Sequence, residues 1–227
     1  MVSNTKNLVW FFILLSLPIT LFAQKDVTQF LGIPVDGYKA DMIKKLNDKG
    51  YNVIPNSNDV LGGEFNGTQV WIMIGTNNNL VWQISVVDVN TMDAKDIKIR
   101  FNDLLKQFQH NKKYLDVSDS MLLKYIIPEN EDISYELSVN PKKYQAFFSQ
   151  KTIAYDSLMF KKDALLAKPS LNATEEEQLA AAFIKIPDEL FKCFNKSVML
   201  WIAERSGKYY VIISYMNEFN RPNGENL

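Results

Sequence analysis

The chain has 227 residues, of which 47% are hydrophobic, enough to build a substantial core, with one histidine and one cysteine. Its 25 basic and 26 acidic side chains give a formal charge of −1, so no electrostatic reason exists to expect nucleic acid, which needs a clustered basic surface. A lone cysteine excludes an internal disulfide, and one His with one Cys leaves no ordinary zinc ligand set.

The amino-terminal segment reads as a secretory signal peptide. Lys6 supplies the positive region, residues 8–22 (LVWFFILLSLPITLF) the apolar run, and Ala23 and Gln24 the cleavage junction. The run is shorter than the roughly 20 apolar residues of a membrane span, and Pro18 interrupts it. Cleavage after Ala23 leaves 227 − 23 = 204 residues with 24 basic and 26 acidic side chains, a charge of −2. No cysteine stands at the junction to carry a lipid. The expected product is a periplasmic or secreted protein with no transmembrane anchor.

In the mature chain, KADMIKKLNDKG at 39–50 carries Met42, Ile43 and Leu46 on one face and ends in Gly50, the pattern of an amphipathic helix with a left-handed stop. Lys39, Lys44, Lys45 and Lys49 form the densest basic cluster and read as its solvated face. Strand-like runs follow at 51–54, 60–65, 70–74 and 80–89, separated by glycine and asparagine turns. A core-facing helix comes next, capped by Asn90 or Thr91, with Ile97, Phe101, Leu104, Leu105 and Phe108 as its stripe. The second half reads as strands at 133–139 and 144–150 about Asn140-Pro141, then a mostly helical stretch. Thr174-Glu175-Glu176-Glu177 has the form of a capping box opening a helix to about Lys185. Pro187 suits the first turn of a further helical segment over 188–195. A hairpin of 198–203 and 208–216 about Ser206-Gly207 closes the domain.

The two main hairpins overlay without gaps at a spacing of 130 residues, which sets Val70-Trp71-Ile72 on Leu200-Trp201-Ile202. This points to two related halves, 24–115 and 116–227, within one α+β domain. Strands rich in β-branched and aromatic residues also resemble each other by composition alone.

Chemistry is sparse. His110 sits at the polar end of the second helix, where a cation is stabilised without catalysing anything. Cys193, among Leu190, Phe191 and Phe194, reads as a small buried hydrophobe. No nucleophile elbow, Walker or dinucleotide glycine pattern occurs. Asp59, Glu64, Asp88, Glu136, Glu204 and Glu218 lie on or beside expected strands, and a facing pair among them would suit a glycosidase. The 88–96 acidic run lacks the glycine and terminal Glu of a calcium loop. Trp71, Trp82, Trp201, Tyr209 and Tyr215 are the candidate binding residues, since an aromatic sheet face left uncovered by helices would be a binding surface. Asn66, Asn172 and Asn195 begin N-glycosylation triplets. No metal site and no cofactor is expected.

Phe30-Leu-Gly-Ile-Pro-Val-Asp-Gly37, Lys49-Gly50-Tyr51 and Gly63-Glu-Phe-Asn-Gly67, with the closing Gly207-Lys-Tyr-Tyr210 and Tyr215-Met-Asn-Glu-Phe-Asn220, resemble a group of small secreted proteins of unknown function common in Bacteroidetes. That resemblance implies a Gram-negative envelope destination and no particular activity. It also makes Asp119-Ser120-Met121 and Asp156-Ser157-Leu158 similar to the O-glycosylation triplet of that phylum. Helix plus antiparallel meander is similar in architecture to the halves of β-lactamase-inhibitor-like domains and to small outer-membrane-assembly lipoprotein domains.

The expected fold is therefore α+β, antiparallel sheet meanders with helices packed on one face. The expected function is that of a non-catalytic binding or interaction module whose partner is an envelope protein or glycan. A carboxylate-dependent glycan hydrolase and an inhibitor of a secreted enzyme are the alternatives.

Overall fold

Apolar residues alternate most regularly in the two long hairpins, and these form the centre of the molecule. The computed structural model describes residues 25–116, 119–140 and 142–224. The segment expected to act as a signal peptide, its expected Ala23-Gln24 junction and Pro141 lie outside the described residues. A short ribbon, β1 (Gln29–Phe30) and β2 (Ile33–Pro34), opens the fold. Helix α1 (Lys39–Asn47) buries Met42 and Leu46 and is followed by Gly50 at φ +92°, a backbone conformation that glycine adopts without strain. Then β3 (Asn52–Val53), β4 (Leu61–Phe65), β5 (Thr68–Asn77) and β6 (Leu80–Asp88) meander into α2 (Ala94–His110).

The second half runs α3 (Asp119–Tyr125), α4 (Ile133–Ser138), β7 (Gln145–Ser149), α5 (Ile153–Leu166), α6 (Ala173–Cys193), β8 (Ser197–Arg205) and β9 (Lys208–Met216). Seven strands join in the order β3-β4-β5-β6-β9-β8-β7, every pairing antiparallel. The fold is α+β, with helices packed on one sheet face. The stripe of α2 is buried as its spacing requires, with Ile97, Phe101, Leu104, Leu105 and Phe108 all in the core. Opposite it stand Ile72, Ile84, Val86, Leu200, Val211 and Ile213, which share one face by the period-2 rule.

Four local expectations are corrected. The cap of α2 is Asp93, whose carboxylate accepts from the amides of Lys95 and Asp96, so the helix starts after Asn90 and Thr91. Residues 133–138 are helix, not strand. Asp132 caps them by accepting from the Tyr135 amide, and of the alternating apolar set only Ile133 is fully buried while Tyr135 and Val139 are exposed. The capping box lies two residues earlier than expected, between Asn172 and Glu175. Pro187 does not begin a segment, because α6 runs through it unbroken to Cys193.

Leaving aside β3 at one edge, the strand order is symmetric about the β6–β9 pair, β4-β5-β6 facing β9-β8-β7. The 130-residue overlay is not its structural register. The turns Asn78-Asn79 and Ser206-Gly207 are 206 − 78 = 128 residues apart, and β5–β6 carries a bulge at Gly75/Thr76 where β8–β9 pairs without a shift.

Candidate functional site

Strand parity decides which aromatics can meet a ligand. The side of the sheet turned away from α2 carries continuous cross-strand rows. In one, Gly62, Trp71, Val87, Ile212, Trp201 and Gln145 are successive partners across six strands. In the next, Met73, Ser85, Ser214, Met199 and Phe147 follow the same order. Trp71 and Trp201 thus stand one strand outside the central pair on either side, three strand spacings or about 14 Å apart. Both are half-buried, while Met73 and Phe147 at the margins are exposed.

Trp82 joins this face through the bulge, where it is the extra residue of β6 between Val81 and Gln83. Gly75 leaves room for its ring: a Cβ there would lie 3.4 Å from the indole Nε1. Arg205 lies over two rings, 5.3 Å from the centroid of Trp71 and 4.8 Å from that of Tyr210. Its planar guanidinium is held as a donor array between aromatic faces. At the middle of the sheet, Gln83 Nε2 donates to Ser85 Oγ and to Ser214 Oγ, both at 2.8 Å. The face is therefore an aromatic platform with one fixed cation and a polar centre.

Tyr209 and Tyr215 are not on it. Both belong to the opposite parity of β9 and are buried beneath the helices. Tyr209 donates to Ser134 Oγ at 2.9 Å, and the Tyr215 ring packs on Phe30 at 4.9 Å. Burial pushes the Tyr215 hydroxyl well above the ordinary tyrosine range. Tyr210 takes the place expected for Tyr209. It is the pairing of β9 with β6 that decides the parity, setting Ser214 of the row 210, 212, 214, 216 opposite Ser85 and away from the helices.

Of the carboxylates considered for acid–base work, all but Glu64 are engaged locally. Asp88 faces α2 and is paired with Arg100. Asp59 pairs with Lys39, and Glu218 pairs with Arg221 and accepts from Ser197. Glu204 accepts from the Gly207 amide in its own hairpin, and Glu136 accepts from Asn140. Glu64 is exposed at the end of β4. His110 is exposed in the last turn of α2, its Nδ1 at 2.6 Å from the Lys106 carbonyl. Cys193 is buried and its sulfur accepts from the Thr152 amide at 3.3 Å. Among the described residues no group of three His, Cys, Asp or Glu side chains could hold a metal ion. Among them, too, no helix is long and apolar enough to cross a membrane.

At the outer edge of the platform Phe147 lines a cavity of about 830 Å³ between β7 and the α5–α6 hairpin, walled by Tyr155, Met159, Phe160 and Phe194. The platform thus runs on into a concave, largely apolar margin that sequence reading did not anticipate, because it depends on how the helical hairpin is placed. Comparison of the chain with protein-family models, curated proteins and solved structures finds no match.

Proposed function

We propose that this is an exported, non-catalytic binding protein of the bacterial envelope, periplasmic or secreted, of the kind its turn segments resemble in Bacteroidetes. On this reading the open sheet face holds a glycan chain. The observation that carries it is the row Trp71–Val87–Ile212–Trp201 running across four strands, with Arg205 lying over the Trp71 ring. Sugar rings present an apolar face that packs on aromatic side chains, and hydroxyls that need donors and acceptors at fixed positions. The indoles supply the first, and Arg205 with the half-buried Gln83 and Ser85 supplies the second. Each carboxylate of the hydrolase alternative other than Glu64 has a local partner, so nothing in the site favours hydrolysis over binding.

The test is affinity electrophoresis and calorimetry of the protein against envelope polysaccharides, after expression of the full sequence in a Gram-negative host. Trp71→Ala with Trp201→Ala should lower affinity at least about tenfold, because each removes a stacking face of roughly 0.5–1.5 kcal/mol beyond its buried area. Tyr209→Phe, on the other side of the sheet, should leave it unchanged. Equal binding by the double variant would remove the open face from the function, and release of reducing ends would revive the hydrolase. The isolated protein should begin at Gln24, and a chain recovered with Met1 in the cytosol would overturn export.

A further inference from the structure

A second concavity lies on the helix side of the sheet, and its lining is of a different kind. A cavity of about 410 Å³ opens between the C-terminal half of α2, the β1–β2 turn and the β4–β5 turn. The rings of Tyr51, Phe65, Phe108, Tyr114 and Tyr215 line it, and Glu64 stands at its rim. No Lys, Arg or His is among its described lining residues.

These rings are held from behind. Tyr51 lies against Gly63, where a Cβ would come within 2.5 Å of its Cδ1, and its hydroxyl donates to the Glu64 carbonyl at 2.9 Å. Phe30 packs against Tyr51, Phe65 and Tyr215 at centroid distances of 6.2, 5.5 and 4.9 Å. Phe108 meets Tyr114 edge-on at 4.9 Å. Across the mouth, Asn66 Nδ2 donates to Gln107 Oε1 at 2.6 Å and ties the β4–β5 turn to α2.

We propose that this cavity binds a small organic ammonium ion, quaternary or alkylated. Aromatic faces carry the negative end of the ring quadrupole, and several of them around one space attract a weakly hydrated cation. Glu64 is itself a lining residue, and burial, with the Glu64 charge adding to it, holds the Tyr51 hydroxyl above its ordinary pKa. Among the described lining residues no cationic side chain competes for that field. The volume falls in the range of small-molecule sites and takes a trimethylammonium group with space to spare.

This site is independent of the open sheet face, on the other side of the strands. The test titrates choline and benzyltrimethylammonium, and the uncharged isostere 3,3-dimethylbutan-1-ol, into protein expressed from the full sequence, with calorimetry and aromatic-region NMR as readouts. Both cations should bind saturably, at least about tenfold more tightly than the neutral isostere. Gln107→Arg, at an exposed position of α2, should abolish cation binding, and Glu64→Gln should weaken it several-fold. Trp71→Ala should leave it unchanged. No saturation by either cation, or equal binding of the uncharged isostere, overturns the proposal. So does full cation affinity in the Gln107→Arg protein.

Discussion

The Asp88 carboxylate receives both Nε and Nη2 of Arg100, at 3.1 and 2.9 Å, in a position only 3% exposed. It also accepts from the Val211 amide at 3.4 Å, so one side chain at the end of β6 joins α2 to the sheet and to β9. Such a pair earns little over an apolar replacement, because both ions lose their water, yet breaking it from one side strands a buried charge. Arg100→Ala is therefore expected to cost about 3–5 kcal/mol in urea unfolding. Replacing both members with apolar residues, Asp88→Leu and Arg100→Met, should cost less than Arg100→Ala alone, and a double variant that is worse would show that the charges themselves stabilise the fold. From sequence Asp88 is one of six equivalent acids. Only the parity of β6, which sets it in line with Ile84 and Val86, separates it from a solvent-facing carboxylate.

At the scale of elements, Pro187 inside α6 has no amide to give to the Phe183 carbonyl, and its ring crowds the preceding turn. Pro187→Ala should raise stability by about 1–3 kcal/mol, read as a higher Tm by circular dichroism, since proline is about 3 kcal/mol less favourable than alanine within a helix. Unchanged stability would mean that α6 accommodates the proline without cost. This helix also marks where sequence reading stopped. Proline at a helix start and within a helix look alike locally, and what separates them here is the tertiary pairing of α6 with α5. The 133–139 segment failed for a related reason: Ile133, Tyr135, Leu137 and Val139 alternate like a strand, but a cap at Asp132 and burial of its first residue select a turn and a half of helix. Where long stripes met clear punctuation, as in α1, α2 and the β5–β6 and β8–β9 hairpins, the elements were legible. Trp71 and Trp201 go with them, whereas Trp82 reaches the open face only through the bulge at Gly75/Thr76. Tyr209 and Tyr215 could not be placed, because either parity of β9 is apolar enough to face a core and only partner strands settle the choice.

For the whole molecule the question is whether the symmetric strand order melts as one body or two. Core residues from both halves meet in a single cluster, Phe30 and Leu61 with Leu200 and Ile213, and β6 pairs with β9 along five residue positions. Titration of the tyrosines offers a probe distributed over that body. Burial, the largest cause in each case, raises the pKa of Tyr51, Tyr114, Tyr144, Tyr155 and Tyr215 above the ordinary value of about 10. At Tyr144 the hydrogen bond donated to Glu131 adds to it. In each, the folded state holds its proton more tightly than the unfolded chain does. The stabilisation is therefore complete below pH 10 and is lost as pH rises from there through the folded-state values. Tyr51 belongs to the first half and Tyr144, Tyr155 and Tyr215 to the second, with Tyr114 of the first half lining the same cavity as Tyr215. Phenolate absorbance near 295 nm should consequently show these five groups ionising late, in one step that coincides with loss of the circular dichroism signal. Two separated steps, with secondary structure lost in stages, would instead mean that β4-β5-β6 and β9-β8-β7 fold as distinct units held only by their central pairing.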